Sequence, residues 1–234
     1  MRVLAVTAVV PERDAFLAGR DTTVHPLPGG YELRRAALPG GRVDVLAGGV
    51  GPAASAAATA TALTVAELDG HPYDVVLSAG IGGSFPGVGP AGCVVAESVV
   101  AADLGAESPE GFTPVTGLGF GVDRVDCPAD LVRSVVAAVG GVPGEVLTVS
   151  TVTGTRERAE QLSRRHPRAR AEAMEGFGVA SAALGHRVPV LELRTISNEV
   201  GPRNRDAWDI PGALAALGRA AEALVPLWEG EERT

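Results

Sequence analysis

The chain alternates between two kinds of segment along most of its 234 residues. Short apolar runs without polar alternation are typical of strands buried on both faces of a parallel or mixed sheet. Longer Ala-rich and Leu-rich runs between several of them indicate helices, so the sequence predicts an α/β domain in which helices cover a central sheet. The predicted strands are Val3–Val10, Val43–Ala47, Val75–Ala79, Cys93–Val100, Val146–Ser150 and Val190–Ser197, and the predicted helices are Ala53–Leu68, Pro128–Val139, Arg156–His166, Gly176–Leu184 and Ala213–Trp228.

Two segments depart from this alternation. Tyr31–Leu38, a Gly40-Gly41 turn and Arg42–Ala47 predict a β-hairpin. Residues 102–127 are rich in Gly, Pro and acidic residues, and so long a loop in a compact domain usually has a functional or interface role. Because no linker, charge run or internal repeat divides the sequence, we expect one domain over residues 1–234.

The composition argues against several classes of function. Aromatic residues make up 4% of the chain and the formal net charge is -8, which disfavours binding to nucleic acids or anionic membranes. All 20 basic residues are arginines, so neither a lysine Schiff base nor a P-loop lysine is available. Cys93 and Cys127 form no CxxC pair, and the four histidines lack the spacing of a metal site. We expect no metal, no cofactor and a soluble cytoplasmic protein without a signal peptide or membrane span.

A glycine-rich turn suggests one alternative function. The run Gly49-Val50-Gly51-Pro52-Ala53-Ala54 follows a predicted strand, opens a predicted helix and matches the GxGxxA dinucleotide fingerprint. That fingerprint needs an acidic residue at the end of the next strand to hold a ribose, whereas Asp69 and Asp74 precede that strand. A dinucleotide-dependent oxidoreductase therefore stays open as an alternative function, although the sequence lacks the acidic residue that would bind the ribose.

Polar or glycine residues follow several predicted strands. Ala79-Gly80-Ile81-Gly82-Gly83-Ser84 lies at the edge where α/β sheets bind ligands, and its glycines allow a flat ligand close to the backbone. Glu12 follows the first strand, and alone it indicates a surface residue favoured by a helix dipole. Glu175, in Ala173-Met174-Glu175-Gly176, opens a helix of small residues, so we expect its carboxylate to be partly desolvated. Arg194–Gly201 is an apolar strand that ends in polar residues.

In this order, the segments resemble the superfamily of nucleosidases and phosphorylases that cleave the N-glycosidic bonds of purine nucleosides. The resemblance covers almost the whole chain and is strongest to the branch of the methylthioadenosine/S-adenosylhomocysteine nucleosidases and futalosine hydrolases. The run S-N-E-V-G-P-R-N-R-D-A-W from Ser197 to Trp208, with Met174-Glu175-Gly176, looks like the futalosine hydrolases.

This resemblance implies a single-domain, three-layer α/β/α sandwich around a central mixed, largely parallel sheet. It implies hydrolysis of the N-glycosidic bond of futalosine, which releases hypoxanthine and dehypoxanthine futalosine in menaquinone biosynthesis. The alternatives are a nucleosidase of the methylthioadenosine/S-adenosylhomocysteine type, a purine nucleoside phosphorylase and a binding-only relative that has lost catalysis.

The resemblance also implies roles for individual residues. Glu12 would align and deprotonate water, and Glu175 would bind the ribose hydroxyls and stabilise positive charge on the sugar. Asn198 stands where adenosine-type relatives carry Asp, the acid for purine N7. An amide still donates a hydrogen bond to N7 or to a 6-oxo oxygen, which favours a 6-oxopurine leaving group. The expected substrate-binding residues are Gly80, Ile81 and Gly82 along the pocket, Met174 against the ribose, Arg203 and Arg205 for the benzoate of futalosine, and Val152 and Thr153, whose backbone groups would read the base if Asn198 does not.

The resemblance favours water over phosphate as the attacking group. Phosphorylase branches bind phosphate with a Gly-Asp-Pro turn near the N-terminus and an Arg in a central loop. Here the first strand leads to Pro11-Glu12, and Ala79–Ser84 contains no Arg, so a carboxylate in the pocket would repel phosphate. Because relatives bury a pocket edge against a neighbouring subunit, we also expect a homo-oligomer, with residues 102–127 in part of that contact.

Overall fold

The apolar runs form a ten-stranded mixed sheet in the computed structural model, which describes residues 1–228. Val and Leu side chains on these strands are buried on both faces because helices cover both sides of the sheet. The strands are β1 (Arg2–Thr7), β2 (Thr23–Pro26), β3 (Glu32–Leu38), β4 (Gly41–Ala47), β5 (Val75–Ser84), β6 (Cys93–Ala101), β7 (Gly105–Ser108), β8 (Gly111–Pro114), β9 (Arg124–Asp126), β10 (Val142–Thr148), β11 (Ala169–Ala173) and β12 (Val190–Glu199). The helices are α1 (Val10–Phe16), α2 (Pro52–Leu68), α3 (Ala129–Val139), α4 (Arg156–Arg165), α5 (Gly176–Gly185), α6 (Ile210–Ala223) and α7 (Val225–Trp228).

The sheet order is β11-β10-β6-β12-β5-β1-β4-β3-β2, with β9 beside β6. Parallel pairings join β1 to β4 and β5, β12 to β5, and β10 to β6 and β11. Antiparallel pairings join β2 to β3, β3 to β4, β9 and β12 to β6, and β11 to β5. The expectation of a central mixed sheet in an α/β fold of the nucleoside phosphorylase type is confirmed. The longest pairing, between β5 and β12, is parallel.

Two pairs of helices pack against the sheet: α2 with α5, and α1 with α6. Small residues bring α2 and α5 close together, since a Cβ on Gly178 would overlap the carbonyl oxygen of Pro52. Val, Leu and Ala fill most of the core, and Phe16 stacks on Trp228 with ring centroids 6.3 Å apart. Close packing of small side chains therefore fills the core, although aromatic residues are few.

Several predicted boundaries shift in the structure. The first strand ends at Thr7 and not at Val10, because Pro11 starts a helix more readily than it continues a strand. The strand predicted to end at Ala79 continues to Ser84, so the segment Gly80-Ile81-Gly82-Gly83-Ser84 is part of β5. The predicted hairpin is confirmed as β3 and β4. Residues 102–127 contain the small hairpin β7–β8 and the strand β9.

No helix within residues 1–228 is both long and apolar enough to cross a membrane. The same described residues contain no group of three or more His, Cys, Asp or Glu side chains arranged to hold a metal ion.

Candidate active site

A cavity of about 380 Å³ opens where the C-terminal parts of β5, β11 and β12 meet the turn between β1 and α1. This is the edge of an α/β sheet where ligands usually bind. Of the residues predicted for the site, the cavity is lined by Glu12, Ile81, Gly82, Val152, Thr153, Met174, Glu175, Asn198 and Arg203. Gly80 and Arg205 do not line it.

Glu12 lies in the first turn of α1 but is only 4% exposed, which overturns its interpretation as a surface residue. Its Oε2 accepts hydrogen bonds from the backbone N–H groups of Ala8 (2.9 Å) and Val9 (3.2 Å), and its Oε1 accepts one from Ile81 (2.9 Å). A carboxylate offers about four acceptor sites, so these three bonds leave one for a further donor. The arrangement holds the anion rigidly beside the cavity.

Glu175 closes the N-terminal end of α5 and is 5% exposed. Its Oε2 lies 3.2 Å from Nη1 of Arg194, and its Oε1 accepts a hydrogen bond of 3.3 Å from the backbone N–H of Gly51. The glycine turn before α2 therefore supplies an N–H to this carboxylate. Glu175 lines the cavity, and its carboxylate keeps two free acceptor sites, enough for two hydroxyl groups.

Arg194 connects the site to the core. It is 1% exposed, donates from Nε to Oε1 of Glu192 (2.9 Å), and donates from Nη2 to Oγ of Ser78 (2.9 Å). Burial raises the pKa of Glu192 to about 7, although Arg194 opposes the shift. One guanidinium thus balances two buried carboxylates and fixes the orientation of Glu175.

Gly80 contributes space and not a lining surface. A Cβ at this position would lie 2.6 Å from Oε1 of Glu12 and 2.7 Å from Nη1 of Arg194. Any side chain there would displace the carboxylate or the guanidinium, so the glycine lets both groups approach β5.

Asn198 presents its amide near the end of β12. Its Oδ1 accepts from the Ser197 hydroxyl (2.8 Å), and its Nδ2 donates to the carbonyl oxygen of Glu199 (2.8 Å). A carbonyl only accepts, so this contact identifies Nδ2. One N–H of the amide stays free for a ligand, as the sequence interpretation requires.

Glu172 was missed in the sequence, although it lines the cavity and is 6% exposed. Its Oε1 accepts from the backbone N–H of Thr153 (2.8 Å), and its Oε2 accepts from the Thr153 hydroxyl (2.5 Å). Burial raises the pKa of this carboxyl, and the two Thr153 hydrogen bonds oppose the shift. The backbone N–H of Thr153, one of the groups that could read the base in place of Asn198, therefore already donates to Glu172.

The two arginines predicted for the benzoate lie in different places. The guanidinium carbon of Arg203 lies 5.3 Å from the centroid of the Trp208 ring, and that of Arg205 lies 5.8 Å from it. Arg203 and Trp208 line the cavity, whereas Arg205 stays outside the lining. The structure thus brings one of the two to the mouth of the site.

Sequence and structure comparisons agree with this geometry. The model of the phosphorylase superfamily matches residues 3–226. Futalosine hydrolase from Streptomyces coelicolor is 56% identical over 243 residues, covering 100% of both chains. Futalosine hydrolase from Acidothermus cellulolyticus is 44% identical over 96% of this chain and 91% of the relative.

Among solved structures, S-adenosylhomocysteine nucleosidase from Streptococcus pyogenes has a TM-score of 0.81 at 19% identity, covering 98% of this chain and 96% of that one. The native structure of futalosine hydrolase of Helicobacter pylori has a TM-score of 0.81 at 20% identity, covering 97% and 98%. These two likenesses show the shared fold. The family model and the two full-length relatives show that the chain belongs to the phosphorylase superfamily and, within it, to the futalosine hydrolases.

Proposed function

We propose that this protein hydrolyses the N-glycosidic bond of futalosine and releases hypoxanthine and dehypoxanthine futalosine, a step of menaquinone biosynthesis. The observation that carries the proposal is the pair of buried carboxylates, Glu12 and Glu175, beside one cavity. Full-length similarity to futalosine hydrolases supports the choice of substrate.

The two carboxylates divide the work of one displacement. Glu12 uses its free acceptor site to orient a water molecule and takes its proton as the water oxygen bonds to C1′. The bond between C1′ and the purine nitrogen breaks, and its electron pair leaves with hypoxanthine, which then takes up a proton. Glu175 accepts hydrogen bonds from ribose hydroxyls and stabilises positive charge on the sugar. Met174, half-buried in the cavity wall, packs against the ribose.

Water is favoured over phosphate by the charges around the cavity. Glu12, Glu172 and Glu175 all line it, and the guanidinium of Arg194 is already engaged by Glu175 and Glu192. A phosphate dianion placed beside these carboxylates would be repelled. These charges argue against the alternative of a purine nucleoside phosphorylase.

A 6-oxopurine is favoured over adenine by Asn198. The free amide N–H donates to N7 or to O6 of hypoxanthine and stabilises charge that develops on the leaving base. The amide cannot protonate N7 as a carboxylic acid would. This difference argues against the alternative of a methylthioadenosine/S-adenosylhomocysteine nucleosidase.

The proposal predicts base release in phosphate-free buffer. Purified protein incubated with futalosine should give free hypoxanthine, detected by chromatography, whereas inosine and methylthioadenosine should be cleaved more slowly. A strict requirement for phosphate, with a sugar 1-phosphate as the product, would contradict the proposed hydrolysis.

Arg203 is our candidate for the carboxylate of the benzoate. Arg203→Met should raise KM for futalosine about ten-fold, the low end for a hydrogen bond to a charged group, because Arg203 is exposed. KM for inosine, which lacks the benzoate, should not change. Arg205→Met is the matched control, since Arg205 also lies near Trp208 but outside the cavity lining. Equal effects of Arg203→Met on both substrates would show that it supports the loop and does not read the carboxylate.

We also propose that residues 1–234 act as one domain in a cytoplasmic homo-oligomer; residues 229–234 lie outside the described part of the chain. The larger of two core clusters in the described residues extends from Val3 to Trp228, which supports a single domain. Leu118, Phe120 and Val122, in the 102–127 segment, are exposed hydrophobic side chains. Clustered exposed apolar residues are typical of contact surfaces, which supports subunit contact through this segment.

A further inference from the structure

We propose that Glu172 is a specificity-determining residue that accepts the N1–H of a 6-oxopurine. This inference rests on the proposed function, because it concerns the base that the hydrolase releases. It assigns the N1 edge of the base to a side chain, whereas the sequence indicates base reading by Asn198, with backbone groups near Val152 and Thr153 as the alternative.

Strand register places Glu172 opposite Asn198. Gly83 on β5 pairs with Glu172 of β11 on one side and with Asn198 of β12 on the other. Paired residues on neighbouring strands carry their side chains on the same face of a sheet. The Cα atoms of Glu172 and Asn198 are therefore separated by two strand spacings, about 10 Å. A planar bicyclic base fits between the two side chains.

Gly83 allows the side chains of Asn198 and Val200 to lie close to β5. A Cβ at this position would lie 3.2 Å from Nδ2 of Asn198 and 3.1 Å from Cγ2 of Val200. A larger residue would therefore displace the Asn198 amide or the Val200 side chain. The glycine thus lets the Asn198 amide lie against β5, beside the register position with which Glu172 also pairs.

Thr153 holds Glu172 as a hydrogen-bond acceptor. Its backbone N–H donates to Oε1 and its hydroxyl to Oε2, which leaves one acceptor site on each oxygen. Thr153 thus supplies one donor to each oxygen of Glu172. The remaining acceptor sites can accept a hydrogen bond from an N–H group of a ligand in the cavity.

Glu172 also differs from the other buried carboxylates that the structure describes. Asp44 pairs with Arg35, Glu145 with Arg124, and Glu175 and Glu192 with Arg194, whereas Glu12 receives three backbone N–H groups. Within residues 1–228, Glu172 has no cation within ion-pair distance. A buried carboxylate without a cation is costly unless hydrogen bonds satisfy it, and a ligand N–H adds one.

Asn198 as a donor and Glu172 as an acceptor then match the polar groups of hypoxanthine and not those of adenine. Hypoxanthine presents acceptors at N7 and O6 toward the Asn198 amide and a donor at N1 toward Glu172. Adenine has an acceptor at N1, which would face the carboxylate without a hydrogen. A site built to bond one polar group penalises a ligand that leaves it unpaired.

The test compares wild type with Glu172→Gln, a substitution of the same shape. For futalosine, kcat/KM should fall about ten- to hundred-fold, the range for a hydrogen bond to a charged group. For the 6-amino counterpart of futalosine it should fall less, so the ratio of the two values should decrease. Calorimetry with free bases gives a second readout: wild type should bind hypoxanthine at least ten-fold more tightly than 1-methylhypoxanthine, and Glu172→Gln should lose that preference.

Glu160→Gln is the control, because it makes the same change of charge on an exposed face of α4. It should leave unchanged both the ratio of kcat/KM for the two substrates and the preference for hypoxanthine over 1-methylhypoxanthine. An unchanged substrate ratio in Glu172→Gln, with equal binding of the two free bases to wild type, would overturn the assignment. Failure of the wild type to cleave futalosine would instead contradict the proposed function, and the binding of free bases would still test Glu172.

Discussion

Glu12→Gln should lower kcat for futalosine hydrolysis by about 10²–10⁴-fold, the usual cost of losing a general base. The amide keeps the shape of the carboxylate but takes no proton from water. It also brings an NH₂ group to backbone N–H groups that now donate to the carboxylate. Two donors then face each other, so we expect the free energy of unfolding to fall by about 1–3 kcal/mol. Single-turnover kinetics and urea denaturation measure the two effects separately.

Asp14→Asn provides the control for Glu12→Gln. Asp14 is on the same helix, its side chain is 61% exposed, and its partner Arg13 also pairs with Glu32. The same change of charge there should alter the free energy of unfolding by less than about 0.5 kcal/mol and leave turnover unchanged. If Glu12→Gln kept near-normal turnover with an intact circular dichroism spectrum, water activation would have to be assigned elsewhere.

The fold was largely predictable because burial on two faces leaves a strong pattern. Continuous apolar runs mark the central strands, and each has a counterpart in the sheet. The strand β11 was missed because Ala169–Ala173 contains one Arg and one Glu in five residues. Its alternation of Ala with a charged residue is the period-two signal of a strand, but the segment is short and not β-branched.

The site was predictable only in part because sequence shows which residues follow strands and not which side chains meet. Glu12, Glu175 and Asn198 were found through their positions and the resemblance. Arg194 lies inside an apolar strand, and only the packing of α5 against β12 reveals that it meets Glu175. Glu172 was hidden with β11, although it lines the same cavity. The relative position of Arg203 and Arg205 depends on a loop, for which spacing along the chain gives no geometry.

Arg194→Met should lower the free energy of unfolding by about 3–5 kcal/mol, the range for breaking a buried ion pair from one side. The change leaves Glu175 and Glu192 in the core without their shared cation. Glu175 would then be held only by the N–H of Gly51, at 3.3 Å. Because this loosens a preorganised group, kcat should also fall about 10²-fold. Urea denaturation and steady-state kinetics give the two values.

The loss of stability in Arg194→Met should be smaller at low pH than at high pH. The pKa of Glu192 is already raised by burial to about 7, so in the folded state it keeps its proton at pH values where the unfolded chain has lost it. A group with a raised pKa stabilises the fold at low pH, and this contribution is lost as pH rises through the folded value. Removing Arg194 raises the pKa of Glu192 further. The loss of stability caused by Arg194→Met should therefore be smaller at pH 5 than at pH 8.

A second substitution separates the charge left in the core from the role of Arg194 in catalysis. Glu192→Gln in the Arg194→Met background removes one uncompensated carboxylate, so it should restore part of the lost stability and weaken its dependence on pH. It should not restore kcat, because Glu175 still lacks the guanidinium that orients it. Recovery of activity together with stability would mean that Arg194 acts only through folding. If Glu192→Gln left the loss of stability unchanged, that loss would have to be assigned to the uncompensated carboxylate of Glu175 and not to that of Glu192.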